Sequence, residues 1–182
     1  MVPLIYEHHY QCFLLYNHRF MSILNDDEDT NAELKRTMDV NFMGTVYCTR
    51  EAYKSMHKRG GYGYIINING VSGHYVPLPT PELGSYNTYA SSKYAITAMS
   101  EVLRQELTWA DNKKIRVGSL SPGEVRTDMV AVAGYKGSAE DYYDANTPLD
   151  PENIAEGVKF MLSLPYTVQV TELTMRPVGE KV

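Results

Sequence analysis

Cysteines, basic residues and long apolar runs are all scarce in this sequence. Its 182 residues include two cysteines, Cys12 and Cys48, too few for the disulfide framework of a small secreted domain. Acidic residues outnumber basic ones by 22 to 17, and the net charge of −5 argues against a general nucleic-acid or membrane-surface binder. No apolar run approaches the roughly 20 residues that span a bilayer. We therefore expect a cytoplasmic protein with no nucleic-acid partner and no membrane span.

The first 25 residues hold two short apolar runs among histidines and tyrosines. Neither run makes a convincing signal peptide, because no basic segment precedes CFLLY and polar residues end it at once. We predict a strand at Cys12–Tyr16 and an acidic linker at Asn25–Asp29. The candidate metal ligands in this segment match no standard zinc spacing, so no metal site is expected. Those candidates are His8, His9, Cys12 and His18.

A long helix is predicted from Asn31 to Lys58. Thr30 and Glu33 have the spacing of a capping box at its start, and acidic residues precede them where the helix dipole favours negative charge. Apolar residues recur at steps of three and four along it, and the pair Gly60-Gly61 ends it. Asn41 lies within the apolar stripe. Because a buried amide needs hydrogen-bond partners, Asn41 is either a structural hydrogen-bonder or part of a site.

Three runs of the sequence are typical of strands. The run YIINI at Tyr64–Ile68 predicts a buried parallel strand, and the segment Asn69–Gly73 follows it at the strand end where ligands bind in open α/β sheets. A second strand is predicted at Lys113–Leu120, ended by Ser121-Pro122-Gly123, and a last one at Thr167–Met175. Because these runs alternate with helical patterns, we predict a parallel sheet between two helical layers.

The connecting segments are read from their turn and cap residues. Prolines between residues 77 and 81 predict a loop, and residues 124–147, which show no sustained periodicity, predict a long loop with a short helix. Asp150 as N-cap and Pro151 at the first helical position then mark a helix that runs to about Ser163.

The predicted helix at Ser85–Thr108 carries a tyrosine and a lysine four residues apart, Tyr89 and Lys93. This spacing places both side chains on one helix face, with their Cβ atoms roughly 5–6 Å apart. A phenol titrates near pH ~10, and a neighbouring ammonium lowers its pKa by favouring the ionised form. Such a phenol can act as a general acid or base near neutral pH. Taken alone, the pair also fits an ordinary solvated helix.

Several motifs in order make the chain, from about Glu33 to Pro177, similar to the short-chain dehydrogenase/reductase (SDR) family. They are VNFMGTVYCTREAYKSM, GYIINING with the SGH that follows, YASSKYAITAMSEVLRQEL, IRVGSLSPGEVRT and ELTMRP. Within the family, the sequence most resembles the farnesol dehydrogenase-like and SDR family member 11-like group. The order and spacing of the motifs support the resemblance, since a tyrosine and a lysine four residues apart are common by themselves.

The resemblance implies hydride transfer between a nicotinamide cofactor, NADP or NAD, and a small-molecule alcohol or carbonyl. The group to which the sequence is most similar suggests a terpenoid or steroid-like substrate. The resemblance further implies that Tyr89 is the general acid/base and that Lys93 lowers its pKa and contacts the nicotinamide ribose. It implies that Asn41 holds a water in the proton relay.

The same resemblance assigns the cofactor's nicotinamide end to the segment after the second strand. Pro122 and Gly123 match the turn beneath the nicotinamide, and Val125 and Thr127 match the residues that contact its carboxamide. The loop at residues 124–148 corresponds to the variable lid over the substrate.

The sequence departs from the family at the catalytic serine. That serine lies three residues before the glycine that corresponds to Gly73, and Gly70 occupies its position, with Ser72 two residues further on. A missing hydroxyl removes one hydrogen bond to the substrate oxygen. The loss of such a transition-state donor costs on the order of 10²–10³ in rate.

The second departure concerns the cofactor's pyrophosphate. The family binds it with a glycine-rich turn, TGxxxGxG, at a helix N-terminus, and supports the central strand with an NNAG segment. Neither pattern occurs in this sequence, and Gly44, inside the predicted first helix, is the only glycine before Gly60. The resemblance therefore implies that cofactor binding is impaired in this chain.

From these patterns we predict an α/β fold with a partial Rossmann-type, doubly wound parallel sheet that lacks the N-terminal βαβ units. Residues 1–30 are predicted to form a divergent segment and residues 31–182 a truncated SDR domain. With half of the sheet absent, either Tyr64–Ile68 or a segment near Cys12–Tyr16 is expected at a sheet edge.

Two functions remain open on the sequence alone. The chain is either an NAD(P)-dependent oxidoreductase with impaired activity, or a non-catalytic SDR remnant that acts through dimerisation. The resemblance implies a homodimer or tetramer built through the helices at 31–58 and 85–108, and both helical sequences are present in full.

Overall fold

The chain folds around one five-stranded sheet. The computed structural model describes residues 5–6, 9–12, 23–24, 28–78, 87–133, 135 and 137–180, with residues 5–6, 9–12, 132 and 145 described by their backbone alone. The strands lie in chain order, with β2 to β5 parallel and β1 antiparallel to β2. They are β1 (Ile5–Tyr6), β2 (His9–Cys12), β3 (Gly63–Ile68), β4 (Ile115–Pro122) and β5 (Glu172–Met175).

Helices lie between all consecutive parallel strands, from β2 onward. They are α1 (Glu28–Met38), α2 (Gly44–Arg59), α3 (Asn87–Trp109), α4 (Met129–Val132), α5 (Ala139–Asn146) and α6 (Pro151–Ser163). A π-helical segment, Asp39–Met43, joins α1 to α2, and a 3₁₀ turn, Val71–Gly73, follows β3. None of the helices in the described part of the chain is long and apolar enough to span a membrane.

The core lies on both faces of the sheet. Because successive strand residues point to opposite faces, Ile65 of β3 packs with α2 and α3 while Ile66 packs with α6. The first cluster consists of Met56, Ile65, Leu107, Ile115 and Val117, and the second of Tyr64, Ile66, Leu120, Ile154 and Met161. The alternation of strands and helices therefore produces the predicted three-layer α/β arrangement, which is confirmed.

Two helix boundaries lie where the capping residues in the sequence predicted them, at the end of α2 and at the start of α6. Gly60 ends α2 in the left-handed region, with φ of 66°, a conformation that glycine adopts without steric cost. Asp150 and Asn153 form a reciprocal capping box at the start of α6, in which the Asp150 N–H donates to the Asn153 side chain at 2.9 Å. Pro151 occupies the first helical position, as predicted.

The predicted single helix from Asn31 to Lys58 is wrong in two respects. It begins earlier, at Glu28, so Glu28 and Asp29 form its first turn instead of a linker, and Thr30 is not its N-cap. Acidic side chains in a first turn are favoured by the helix dipole, which explains the earlier start. The helix is also interrupted at Asp39–Met43, where the backbone is π-helical.

The last strand is shorter than the predicted Thr167–Met175. Arg116 of β4 donates from Nη1 to the Val168 carbonyl at 2.9 Å, and the Gln169 side chain accepts the Val117 N–H at 2.9 Å. Because side chains make these bonds along β4, regular strand pairing begins only at Glu172. The second predicted strand begins two residues later than predicted, at Ile115, and continues two residues further, to Pro122.

Of the two sheet edges that the sequence predicted, the one at Tyr64–Ile68 is wrong. Strand β3 is the central strand, since β2 pairs with it in parallel and places Tyr10 opposite Ile65. Among the described residues, β1 is the outermost strand on this side, and it pairs with His9 and Tyr10 of β2. The strand near the N-terminus ends at Cys12, where the predicted one begins, and residues 13–16 lie outside the described residues, as do His8 and His18.

The long loop predicted at residues 124–147 contains two short helices, α4 and α5, instead of one. Ser138 caps α5, where its hydroxyl accepts the N–H groups of Glu140 and Asp141. An isolated parallel bridge between Val125 and Leu149 closes the base of this loop.

Candidate active site

The inner face of α3 is hydrogen-bonded to the carboxyl end of β3. Ser100 Oγ accepts from the Asn67 amide at 2.8 Å, and one turn earlier Thr97 Oγ1 accepts from the Asn69 amide at 2.9 Å. Another turn earlier, Lys93 Nζ donates to the Asn69 carbonyl oxygen at 2.8 Å. These bonds fix both the rotation and the height of α3 against the sheet.

Lys93 and Tyr89 are both buried, on the same face of α3. Lys93 is 1% exposed, and its burial lowers the pKa of its ammonium to about 8. Its Nζ lies 5.6 Å from the centroid of the Tyr89 ring, within the range of a cation–π contact. The spacing of four residues has therefore produced a buried pair in the structure, not a pair on a solvated helix face.

Asn41 lies in the π-helical segment and faces α3. Its Nδ2 donates to Ser92 Oγ at 3.1 Å, and that hydroxyl donates to the Tyr89 carbonyl at 2.7 Å. Its own carbonyl accepts Thr45 Oγ1 at 2.6 Å. π-Helical turns inside α-helices are frequent at functional sites. Asn41 is thus buried and is connected through Ser92 to the backbone of Tyr89.

Gly70 borders the same space from the end of β3. A Cβ atom built on Gly70 would lie 3.8 Å from the Pro122 carbonyl oxygen and 4.0 Å from Cε of Lys93, both ordinary contact distances. Its φ of 163° is extended backbone, which any residue adopts. Ser72 lies further along, buried inside the 3₁₀ turn. The position from which a side chain would point toward Lys93 is therefore that of Gly70.

Gly73 allows this turn to pack tightly on α3. A Cβ atom there would lie 2.6 Å from the Asn69 amide nitrogen and 2.8 Å from Thr97 Oγ1, closer than real Cβ atoms come. The Gly73 carbonyl accepts the Thr97 hydroxyl at 3.1 Å. A larger residue at this position would push the turn away from Lys93.

The segment after β4 presents backbone groups at the same end of the sheet. Leu149 accepts the Arg126 N–H at 2.8 Å and donates to the Glu124 carbonyl at 2.9 Å. Since successive residues of an extended chain point in opposite directions, the N–H and carbonyl of Val125 point away from Leu149. Among the described residues, neither of these two groups has a hydrogen-bond partner.

Thr127 is exposed, two residues after Val125. Its hydroxyl accepts the Met129 N–H at 3.3 Å, and its carbonyl accepts the Tyr143 hydroxyl at 2.9 Å. Arg126 forms an ion pair with Asp144 at 3.0 Å. Together these contacts connect α5 to the segment at 125–129.

The structure thus brings Tyr89, Lys93, Gly70 and Pro122 together, with Asn41 joined to them through Ser92. Two further residues of the site were not predicted from the sequence: Ser92, and Asn69, whose carbonyl oxygen is the acceptor for Lys93. The position of Ser92, three residues after Tyr89 and next to Lys93, was a usable signal for a hydroxyl on the inner helix face.

Comparison with known proteins identifies the family. A family model described as short chain dehydrogenase matches residues 18–136. The chain is 41% identical over 153 residues to a farnesol dehydrogenase of Aedes aegypti, covering 84% of this chain and 58% of that one. It is 42% identical over 146 residues to the Homo sapiens dehydrogenase/reductase SDR family member 11, covering 79% and 54%. The chain therefore spans little more than half the length of these curated relatives.

Solved structures agree with the sequence comparison. The closed form of a serine dehydrogenase complexed with NADP+ is 27% identical, with a TM-score of 0.75, and the match covers 91% of this chain and 63% of that one. The serine dehydrogenase of Escherichia coli is also 27% identical, with a TM-score of 0.62 over 84% of this chain and 56% of that one. Because the family model covers well over half of the residues and the fold agrees, this chain belongs to the short-chain dehydrogenase family.

Proposed function

We propose that the described site is the proton-transfer end of an NAD(P)-dependent oxidoreductase that acts on an alcohol or carbonyl. The observation that supports it most is the burial of Tyr89 and Lys93 together at the carboxyl end of β3, which is where ligands bind in open α/β sheets. An ammonium kept in a dry site favours the phenolate of a neighbouring tyrosine. In this proposal, Tyr89 exchanges a proton with the substrate oxygen as the general acid/base.

The neighbouring residues take supporting roles in the proposal. Lys93 lowers the pKa of the Tyr89 phenol and, when cofactor is bound, contacts the nicotinamide ribose. Asn41 holds a water in the proton relay, and its bond to Ser92 fixes its position beside Tyr89. Gly70 leaves the substrate oxygen without the hydroxyl donor that the family places there, and Ser72 is the nearest serine in sequence.

The residues after β4 fit the nicotinamide end of the cofactor. The N–H and carbonyl of Val125, which have no hydrogen-bond partner in the described part of the chain, form a donor–acceptor pair of the kind that a carboxamide group complements. We propose that Val125 and Thr127 bind the carboxamide and that Pro122 and Gly123 support the ring. The cofactor, NADP or NAD, would supply or accept the hydride, and the residues named here would orient it and manage the proton.

The residues that would bind the pyrophosphate of the cofactor are not found in this chain. No glycine-rich phosphate turn occurs in the 182 residues, and on the side of β3 away from β4 the sheet continues with β2 and then β1. We therefore propose that these residues bind the cofactor weakly and turn over slowly. The substrate is proposed to be a terpenoid or steroid-like alcohol or carbonyl, because a relative 41% identical to this chain is a farnesol dehydrogenase.

A second candidate function is a non-catalytic SDR remnant that acts through dimerisation. The observation in its favour is a set of large apolar side chains exposed on α2 and α3, where the family pairs its subunits. They are Tyr47 (55% exposed), Tyr94 (42%), Val102 (51%) and Trp109 (90%). In either case we propose a homodimer or tetramer through the helices at 31–58 and 85–108.

We also propose that the protein works in a reducing compartment, the cytoplasm. Two cysteines in 182 residues, with Cys48 unpaired in α2, support this placement.

The two functions are separated by titrating the purified chain with NADPH and with NADH while following nicotinamide emission. Nicotinamide emission is the better signal because Trp109, the single tryptophan, is 90% exposed at the end of α3. The oxidoreductase proposal expects saturable binding. It also expects Tyr89→Phe to keep that binding and lose turnover by about 10²–10⁴, the range for a lost general acid/base.

If the chain is a non-catalytic remnant, we expect it to bind neither nucleotide saturably and still to sediment as a dimer. Equal turnover by the native chain and Tyr89→Phe would refute the assignment of Tyr89. Saturable micromolar binding of either nucleotide would refute the remnant reading.

A further inference from the structure

The carboxylate of Glu180 lies against the turn that follows β4. Its Oε1 accepts the Glu124 N–H at 2.7 Å, and its Oε2 accepts Arg176 Nε at 2.5 Å. The Glu180 side chain is 12% exposed. A Cβ atom on Gly123 would lie 2.6 Å from Oε1, so the glycine is what allows the carboxylate to come this close.

The last residues of the chain hold the turn at two consecutive amides. The Gly123 N–H donates to the Met175 carbonyl at 2.7 Å, and the next N–H, that of Glu124, donates to Glu180. On the other side, the Glu124 carbonyl accepts Leu149 N–H. Both backbone groups of Glu124 are therefore bonded, which fixes the direction of the Val125 N–H that follows.

The same carboxylate is connected to the segment after β3. The Arg176 guanidinium lies 5.4 Å from the centroid of the Tyr75 ring, and His74 Nε2 lies 3.0 Å from Ser121 Oγ of β4. Arg176 thus contacts both Glu180 and the segment that carries Gly70 at its start. A continuous series of contacts joins the two loops on either side of Lys93.

The Glu180 carboxylate also acts on the titration of two neighbouring groups, Glu124 and Tyr75. Burial raises the pKa of the Glu124 carboxyl, and the nearby Glu180 carboxylate raises it further. Burial and Glu180 also raise the pKa of the Tyr75 phenol. Arg176 offsets this repulsion as the cation that faces the Glu180 carboxylate. A neutral side chain would avoid the repulsion, but its bond to the Glu124 N–H would no longer be charge-assisted and the ion pair with Arg176 would be lost.

We propose that Glu180 is a positioning residue for the nicotinamide end of the site. It holds the turn at Pro122–Glu124 so that the Val125 N–H and carbonyl face the place that the cofactor's carboxamide would occupy. Glu180 itself touches neither cofactor nor substrate. The effect on cofactor binding rests on the proposed function, whereas the effect on the turn does not.

The test compares Glu180→Ala with Glu180→Gln in the full chain. Alanine removes both hydrogen bonds, whereas glutamine keeps an oxygen that accepts the Glu124 N–H. Glu156→Ala is the matched control, because it removes a carboxylate paired with Lys159 at 2.7 Å on the exposed face of α6. Backbone amide hydrogen exchange at residues 122–127 and NADPH affinity are measured for each chain.

Glu180→Ala is expected to speed exchange of the Glu124 amide by on the order of tenfold or more, with little change in the core of β4, and to weaken NADPH binding by a similar factor. Glutamine is expected to restore most of both, and Glu156→Ala to change neither. A role in general stability alone would instead speed exchange across β4 as well.

Unchanged exchange of the Glu124 amide in Glu180→Ala would overturn the proposal, as would a local increase in exchange with no loss of NADPH affinity. If the native chain binds no NADPH, the proposed function fails. The exchange measurement still decides whether Glu180 holds the turn.

Discussion

The two walls of the site are built in different ways. On the α3 wall, the side chains of Lys93, Thr97 and Ser100 are bonded to the carboxyl end of β3. On the opposite wall, the turn after β4 offers backbone groups, and its position depends on contacts from Leu149, Met175 and Glu180. In the proposed function, the side chains that carry the chemistry therefore come from a helix bonded to the sheet, whereas the surface proposed to receive the nicotinamide is held by contacts from other segments.

Gly70 lies between the two walls. The substitution Gly70→Ser has the largest expected effect, which is on turnover. The added Cβ has room, at 3.8 Å from the Pro122 carbonyl oxygen and 4.0 Å from Cε of Lys93, and the extended backbone accepts any residue. A hydroxyl there would restore one donor to the substrate oxygen, so we expect turnover to rise on the order of 10²–10³.

The measurement is NADPH-dependent carbonyl reduction at saturating cofactor, with Gly70→Ala as the matched control that adds the carbon without the hydroxyl. An equal rise in both variants would show that the effect comes from backbone rigidity. If turnover rises in neither variant, a hydroxyl at position 70 does not reach the substrate oxygen beside Tyr89, and the proposed geometry is wrong.

Lys93→Met removes the buried ammonium from the α3 wall. It has the next largest expected effect, which is on the pH dependence of the free energy of unfolding. Burial lowers the pKa of Lys93 to about 8 in the folded chain, from an ordinary value of 10.5. Between these values the unfolded lysine is protonated and the folded one is not, so the native chain gains stability as pH rises from 8 to 10.5. At about 1.4 kcal/mol per unit, the gain relative to Lys93→Met is on the order of 3 kcal/mol.

Urea unfolding of both chains at several pH values between 7 and 11 measures this difference. The comparison cancels other groups that titrate in the same range, because methionine has nearly the same shape and no charge. A stability difference that stays constant with pH would contradict the buried-ammonium interpretation. Methionine also loses the hydrogen bond to the Asn69 carbonyl. That loss lowers the stability of the variant by the same amount at low and at high pH, so it does not produce the expected pH dependence.

Glu124→Gln probes the turn wall and has the smallest expected effect. The pKa of the Glu124 carboxyl is raised by burial and then by Glu180. The charged form is therefore disfavoured in the folded chain, and its cost is present above the raised pKa and absent below the ordinary one. We expect Glu124→Gln to be more stable than the native chain at pH 7, by no more than about 1 kcal/mol because the carboxyl is only half-buried.

Thermal unfolding at pH 4 and pH 7 checks this sign. The advantage of glutamine should shrink toward pH 4, where the native carboxyl is protonated. A variant less stable than the native chain at pH 7 would show that the charged form is favoured at the turn.

Local signals predicted much of the fold. The end of α2 followed from Gly60, and the start of α6 from Asp150 and Pro151, because caps involve residues within one turn of each other. The start of α1 was mispredicted because the Thr30 and Glu33 spacing also fits the interior of a helix whose first turn is acidic.

Other features depended on contacts between distant parts of the chain. The π-helical segment at Asp39–Met43 breaks a 3.6-residue pattern that continues on both sides, and Asn41 bonds to Ser92, 51 residues away. The late start of β5 follows from Gln169, whose side chain takes a backbone partner in β4. Neither signal is visible in a window of neighbouring residues.

The sequence by itself determined the family resemblance and the placement of Tyr89 and Lys93 on one helix face, because a spacing of four is a local property of the helix. Only the tertiary structure decided that Lys93 is buried on the Asn69 carbonyl, and that a side chain at Gly70 would point toward it. It also decided that Glu180 holds Glu124 across 56 residues. These features depend on which elements pack together, and packing brings together residues that no local pattern relates.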